Sequence, residues 1–382
     1  MNDGTNHFES EVLTETMQRE VALAVIIPAF NAEKYLEQCV RSVITQPCKD
    51  LLIVLINDGS TDRTAEISKR LSESDNRICV INKLNGGVSS ARNAGLDYIN
   101  KNPPKYVAFL DSDDIWVEGF YTEEVRNIIV SGRKDLYRFS YYDGNQTLTR
   151  AKYHPIQRLA EEIPRFLPYF CSLVYRFDAI GTLRFPEGIK VQEDEVFKYV
   201  FLCTVKSWGQ IDRPIFVYRS NAQSVVHDRK FDVSDKYLNN VIPAWDWAIK
   251  ELQERKTEKS LRDINTCKTM QKTFLIEYIE EACKYGLSVG EINKNVETTP
   301  WSHFICDDDI WLDKRRKRFI NNFRILPHLI WTYLRICHSI EEIIIRARNN
   351  DLVQNIRYPL NLCDECKQNN ESISDSIYTN LQ

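Results

Sequence analysis

Four unbroken apolar runs of strand length mark the first third of the chain: Val21–Ile27, Leu51–Ile56, Ile78–Ile81 and Tyr106–Leu110. A strand with one wet face alternates apolar and polar residues, whereas a strand apolar throughout has both faces covered. The stretches between the runs have helical period. Tyr35, Leu36, Cys39, Val40, Val43 and Ile44 fall on one helical face. Ser60 or Thr61 is placed to cap a helix ending near Leu71, and Gly86-Gly87 turns into a helical stretch from Val88 to about Asn100. Strand and helix alternating in this way predict an α/β fold, a mostly parallel sheet with helices on both faces. Ligands of such sheets bind beyond the carboxyl ends of the strands. Asp58, Asp111 and Asp113 all stand at such ends and are expected in one crevice, although they are far apart in sequence.

The rest of the 382 residues divides by pattern. Residues 1–20 are polar, with five acidic side chains against Arg19, and read as a flexible arm. Residues 21–230 form one domain, with short strands expected around Tyr137–Tyr142 and Ile215–Tyr218. Residues 231–350 carry helical periodicity, with Trp245 and Trp247 read as helix core, and residues 351–382 read as a polar, disordered tail. No uncharged apolar run approaches the roughly 18 residues that a spanning helix needs. A net charge of −4 gives no whole-molecule reason to bind nucleic acid, and none is expected as a partner. The eleven cysteines are scattered through apolar segments and read as reduced thiols. Cys363 and Cys366 form a lone pair without a second pair or nearby histidines and are not read as a metal site. The start of the chain has no basic segment followed by an apolar one, so a cytoplasmic location is expected.

Asp111-Ser112-Asp113-Asp114 carries the clearest chemistry. Three carboxylates in four residues repel one another unless a cation sits among them. Mg²⁺ or Mn²⁺ binds through one or two carboxylates together with substrate phosphates. The bland alternative is a solvated acidic turn. The position at a strand end, in register with Asp58, favours the cation.

Four segments now line up in order: Val25-Ile26-Ile27-Pro28-Ala29-Phe30-Asn31, then Asn57-Asp58-Gly59-Ser60-Thr61-Asp62, then Asn85-Gly86-Gly87 with Ala91-Arg92-Asn93-Ala94-Gly95, then Asp111-Ser112-Asp113-Asp114. Together, over roughly residues 21–120, they resemble the family-2 glycosyltransferases of GT-A fold, the bacterial surface-polysaccharide type. The resemblance is fainter to about 230 and does not reach the helical C-terminal region. It implies a nucleotide-diphosphate-sugar donor, UDP-linked by preference, a divalent metal (Mn²⁺ or Mg²⁺) and an inverting transfer. By the same resemblance Pro28, Ala29 and Phe30 line the nucleoside pocket, and Asp58 accepts from the base. Arg92 reaches the base or a phosphate, Asp111 and Ser112 belong to the donor site, and Asp113 binds the metal. Asn57 departs from the family, where many relatives carry a second Asp.

An inverting transfer also needs a general base for the acceptor hydroxyl. Val191-Gln192-Glu193-Asp194-Glu195 resembles the family's Glu-Asp element, with Asp194 as base and Glu193 in support. The alternative is that these acids only complement a helix N-terminus, worth roughly 0.3–1 kcal/mol each. Downstream, Arg219 is expected at the diphosphate and His227 as a further metal or phosphate contact. The acceptor is expected to be a glycan or lipid-linked molecule of surface polysaccharide or lipopolysaccharide assembly. Residues 314–335, with Lys314-Arg315-Arg316-Lys317-Arg318 ahead of Phe319, Ile320, Phe323, Trp331 and Tyr333, suit an anionic membrane surface. Two rivals are a sugar nucleotidyltransferase and a non-catalytic sugar-binding protein. The first should carry a glycine-rich basic phosphate loop after the first strand, where Pro28-Ala29-Phe30-Asn31 stands. The second would tolerate loss of one acidic element, and both are present.

Overall fold

The computed structural model describes residues 21–144, 152–154, 169–220, 232–255, 260–285 and 287–297. His227, residues 1–20, the 314–335 segment and Cys363 to Cys366 lie outside them. The chain divides into two compact units, Met1–Gln271 and Lys272–Gln382.

The first unit is built on a sheet that begins with four parallel strands: β1 (Leu23–Ala29), β2 (Leu51–Asp58), β3 (Ile78–Lys83) and β4 (Tyr106–Phe109). Helices α1 (Leu36–Ile44), α2 (Thr64–Ser74) and α3 (Gly87–Ile99) make the crossovers. β1 is central and buried over its whole length. The helices bury the face that the sequence pattern marks, Leu36, Cys39, Val40 and Val43 on α1. Gly95 lets α3 lie directly on the sheet, because a Cβ there would stand 2.7 Å from Ile26 Cγ2 and 3.1 Å from Ile56 Cδ1.

β1 runs one residue past Pro28. The Leu110 N–H donates to the Ile26 carbonyl, so the next rung of this ladder would need an N–H on residue 28. Proline has none. The β1–β4 pairing ends there, while pairing with β2, made by the alternate residues, continues to Ala29 and Asn57. The proline thus frees the chain after Leu110 to turn away as the acidic loop. The α2 cap also differs from expectation: Asp62 Oδ1, two residues ahead, accepts from the Thr64 N–H at 2.9 Å.

Beyond β4 the sheet mixes directions. The strands are β5 (Ile115–Trp116), β6 (Leu136–Gly144), β7 (Lys152–His154), β8 (Leu173–Arg176) and β9 (Trp208–Arg219). Their order across the sheet is β3-β2-β1-β4-β8-β6-β9-β5, with β7 also on β6. β8 is antiparallel to both β4 and β6, and β6 is parallel to β9. The helices here are α4 (Glu123–Gly132), the single turn α5 (Phe177–Ile180) and α6 (Glu193–Thr204). Phe109, Phe170, Tyr175, Phe185 and Phe197 form one cluster of edge-to-face, tilted and stacked rings. Then come α7 (Val233–Lys236), a π-helical turn at Tyr237–Val241 and α8 (Ile242–Arg255), which packs on α6. α9 (Ser260–Lys284) runs through the division between units. In the second unit α10 (Val289–Glu297) opens with a reciprocal cap. Glu291 Oε2 accepts from the Ser288 N–H at 2.7 Å, and Ser288 Oγ accepts from the Glu291 N–H at 3.3 Å.

Candidate active site

All four parallel strands end on one rim, and their loops are laced together. Asn31, at φ +48°, accepts on Oδ1 from the Thr61 N–H and donates its own N–H to Ser60 Oγ. Thr64 Oγ1 takes the Ala32 N–H and Asp62 Oδ2 takes the Glu33 N–H. Asn57 Nδ2 donates to Asn82 Oδ1 across to β3. This neutral amide adds no further charge beside the buried Asp58. Asp58 closes the β2 end: Oδ1 accepts from Lys83 Nζ at 2.5 Å and the Gly86 N–H at 3.0 Å, and Oδ2 from the Gly87 N–H at 2.8 Å. Its carboxylate thereby sits on the first amides of α3, where the helix dipole favours negative charge.

The acidic loop follows β4. Arg219, at the end of β9, clamps it from below. The Arg219 N–H donates to Asp114 Oδ1 at 2.7 Å and Nε to the Asp113 carbonyl at 2.6 Å. Its guanidinium also donates to Gln38 Oε1 and stacks over the Tyr35 ring. Gln38 in turn lines a groove of about 830 Å³ between α1 and β5, together with Lys34, Arg41, Trp116, Tyr142 and Val217. On the crevice side one ligand atom each of Asp111, Asp114 and Cys171 lies within 4.8 Å of the others. Burial, and then the charges of Asp111 and Asp113, push the Asp114 carboxyl well up. Burial beside Asp111 and Asp114 does the same to the Cys171 thiol, which donates to Asp111 Oδ2 at 3.8 Å.

These donors fit a divalent cation. Asp111 and Asp113 are half-exposed oxygen donors at a strand end. The repulsion of Asp111 and Asp113, which adds to burial in raising Asp114, is what a cation would relieve. A buried neutral thiol is no ligand for a hard ion. The Asp113 carboxylate does not belong to the converging trio, which pairs its neighbours Asp111 and Asp114 instead.

Arg92 connects this loop to the opposite wall. It is 3% exposed, on α3, with its guanidinium against the Phe170 and Phe185 rings. NH2 donates to Asp111 Oδ1 and NH1 to Glu193 Oε1, both at 2.9 Å. Nε finds no hydrogen-bond partner among the described residues. Burial alone would lower the guanidinium, but Asp111, Glu193 and Asp194 together hold it up. Glu193 is pushed up to about 7 by burial and by Asp194, against the pull of Arg92. The three acids that open α6 therefore face different partners. Glu193 meets Arg92, Glu195 pairs with the buried Lys198, and Asp194, half-exposed, accepts from the Glu195 N–H at 2.7 Å.

Most residues singled out from the sequence converge on this rim. Asp58 and Arg219 end β2 and β9, Arg92 projects from within α3, Glu193 and Asp194 open α6, and Asp111, Ser112 and Asp113 lie on the loop after β4. Pro28 and Ala29 are buried within β1, and Phe30 is 51% exposed just past it. Arg92 and Arg219 are occupied by protein groups, which hydrophobic pattern and spacing cannot reveal. Cys171 and Lys83 were missed: a lone cysteine and a strand-end lysine carry no sequence signal until the fold brings them to Asp111 and Asp58.

The profile of the family described as Glycosyl transferase family 2 matches residues 24–198. A Haemophilus influenzae protein described as an uncharacterized glycosyltransferase is 31% identical over 225 residues, 58% of this chain and 84% of that protein. Glycosyltransferase GlyA of Streptococcus pneumoniae serotype 4 is 45% identical over 125 residues, 33% of this chain. The chain spans 17% of GlyA's length. Staphylococcus aureus TarS 1–349, solved in complex with UDP-GlcNAc, is alike in fold. Its TM-score is 0.58 at 17% identity, over 84% of this chain and 92% of that one.

Proposed function

The chain belongs to glycosyl transferase family 2, and from that premise we propose that it moves one sugar, with inversion, from a nucleotide-diphosphate sugar to a hydroxyl of a glycan or lipid-linked acceptor in surface polysaccharide assembly. UDP-sugars are the donors to try first, since TarS was solved with one. The observation that carries the reading is the Arg92 bridge. One side chain ties Asp111 of the acidic loop to Glu193 of α6, which supports reading the two carboxylates as parts of one site.

In this reading Asp113, with Asp111 beside it, would hold Mn²⁺ or Mg²⁺, and the ion would supply charge stabilisation for a departing nucleoside diphosphate. His227, outside the described residues, is a candidate further ligand. Asp58 and Phe30 face the nucleoside, and Arg219 keeps the acidic loop in place beneath the diphosphate. Asp194 takes the proton of the acceptor hydroxyl as that oxygen attacks the anomeric carbon. Glu193, held by Arg92, keeps the start of α6 against the donor side. Residues 314–335 hold the enzyme at an anionic membrane surface, where a lipid-linked acceptor would be met.

The test is a panel of nucleotide sugars with and without Mn²⁺, reading nucleotide release and binding. Selective turnover of one donor, abolished by EDTA, supports the reading. Asp194→Asn is expected to bind UDP with unchanged affinity and to lose about 10²–10⁴ in turnover. Unaltered turnover in EDTA would remove the metal. Loss of UDP affinity in Asp194→Asn with turnover intact would move Asp194 to the donor site.

A further inference from the structure

The three acids that open α6 follow a backbone that has to be held. Gln192, the residue before Glu193, sits at φ +66°, ψ 16°. A side chain with a Cβ is strained in this left-handed conformation and keeps it only where its surroundings determine it. The Gln192 carbonyl already accepts the first helical bond, from Val196 at 3.1 Å. Its side chain does not cap α6. Instead Gln192 Oε1 accepts from Trp245 Nε1 at 2.8 Å. Two residues earlier, the Lys190 N–H donates to Asn240 Oδ1 at 2.7 Å.

Both partners come from the helices that follow the family-2 match, which ends at residue 198. Both are buried. Trp245 is on α8 with its ring edge-on to Tyr199 of α6, 5.2 Å between centroids. Asn240 sits in the π-helical turn Tyr237–Val241, and its Nδ2 donates to the Asp235 carbonyl at 2.8 Å, which fixes the direction of Oδ1. Short π segments inside helices recur at functional sites. Here the π turn carries the side chain that reaches the 190–192 loop.

We propose that Asn240 and Trp245 are positioning residues. By holding Lys190 and Gln192 they fix the left-handed turn from which Asp194 is presented to the acceptor hydroxyl. The claim rests on the reading of Asp194 as general base. A base displaced by about an ångström loses on the order of 10²-fold in rate, so the helices beyond the family-2 match would govern turnover without touching substrate.

The experiment uses the full chain with Mn²⁺ and the UDP-sugar it turns over fastest. Trp245→Phe keeps an aromatic ring toward Tyr199 and removes the N–H together with the five-membered part of the indole, and the Gln192→Gly background separates the lost bond from the lost volume. Trp245→Phe is expected to lower kcat about 10- to 100-fold with UDP affinity unchanged, and to speed amide hydrogen exchange in residues 190–196. Gln192→Gly adopts the left-handed turn without a partner, so Trp245→Phe in that background should cost little further kcat. Asn240→Ala is the second probe of the same loop, with the same split between kcat and UDP affinity. Unchanged kcat in both single variants overturns the proposal. An equal kcat loss on adding Trp245→Phe to Gln192→Gly also overturns it, because the bond to Gln192 is then not the route. Asp194→Asn is run alongside. If it loses turnover while Trp245→Phe and Asn240→Ala do not, only the positioning claim falls. If Asp194→Asn keeps turnover, the base reading falls and the positioning claim with it.

Discussion

Arg92 has two carboxylates to serve and a fork whose two ends reach both. Lysine offers a single charged nitrogen on a flexible stem. Arg92→Lys is therefore expected to keep one ion pair, lose about 1–3 kcal/mol of stability in urea unfolding, and lower turnover by releasing α6 from the acidic loop. A variant as stable and active as the wild type would mean that the bridge does not organise the site. Glu193 makes a separate, pH-dependent prediction. Its folded-state pKa, about 7, lies above its ordinary value of 4.5. The folded chain therefore holds a proton that the unfolded chain has released, and this group's contribution to stability falls as pH rises from about 4.5 to about 7. Glu193→Gln cannot titrate. Measured against wild type, the variant should gain on the order of 1–3 kcal/mol across that interval, whatever constant cost it pays for weakening the Arg92 pair. A difference between the two that is flat from pH 4.5 to 7 would mean that Glu193 is ionised throughout.

At the scale of elements, the site depends on turns that bring strand ends together. Gly59 holds φ +71°, and a Cβ there would lie 2.6 Å from the Asn85 backbone nitrogen. Neither the strain nor the clash can be relieved by a side chain swinging aside. Gly59→Ala is expected to cost about 1–3 kcal/mol and to weaken UDP binding, because the Asn85 turn carries the Gly86 and Gly87 amides that hold Asp58. Unchanged melting temperature and UDP affinity would show that the two turns are not coupled. The same elements explain what was legible in the sequence. β1 to β4 are continuous apolar runs separated by amphipathic helices, and both their existence and their parallel order follow from that pattern. Asp58 and Asp111 were legible as candidate site residues because they stand at the ends of buried strands. β7 and β8 have three and four residues, too few to show a period, and the antiparallel pairing of β8 with β4 joins segments far apart in sequence. β1 continues past Pro28 because the donor that proline lacks faces β4, where the pairing ends, and not β2, where it goes on. The ties on Gln192 and Lys190 join segments about fifty residues apart through single side chains, and no periodicity registers such contacts.

At the scale of the whole molecule, the proposed membrane contact makes a prediction that charge alone can test. Among the described residues no helix is long and apolar enough to cross a membrane. The chain's net charge of −4 would repel an anionic bilayer. Any attraction must therefore be local, and Lys314-Arg315-Arg316-Lys317-Arg318 supplies five consecutive cations followed by Phe319, Ile320 and Phe323. Each cation near an anionic leaflet is worth about 1 kcal/mol, and the effect reaches only about 8–10 Å at ordinary ionic strength. Charge attraction and apolar insertion can be told apart. The full chain is expected to sediment with vesicles containing phosphatidylserine at low salt, to stay in solution with purely zwitterionic vesicles, and to be released as salt is raised. Replacing the five basic residues by Gln should remove most of the binding. Phe319→Ser with Phe323→Ser should weaken the binding seen at low salt without removing its salt dependence, because the rings would be the part that enters the acyl boundary. Sedimentation that ignores the five substitutions would assign the affinity elsewhere, and absence of binding at low salt would place the acceptor encounter off the membrane.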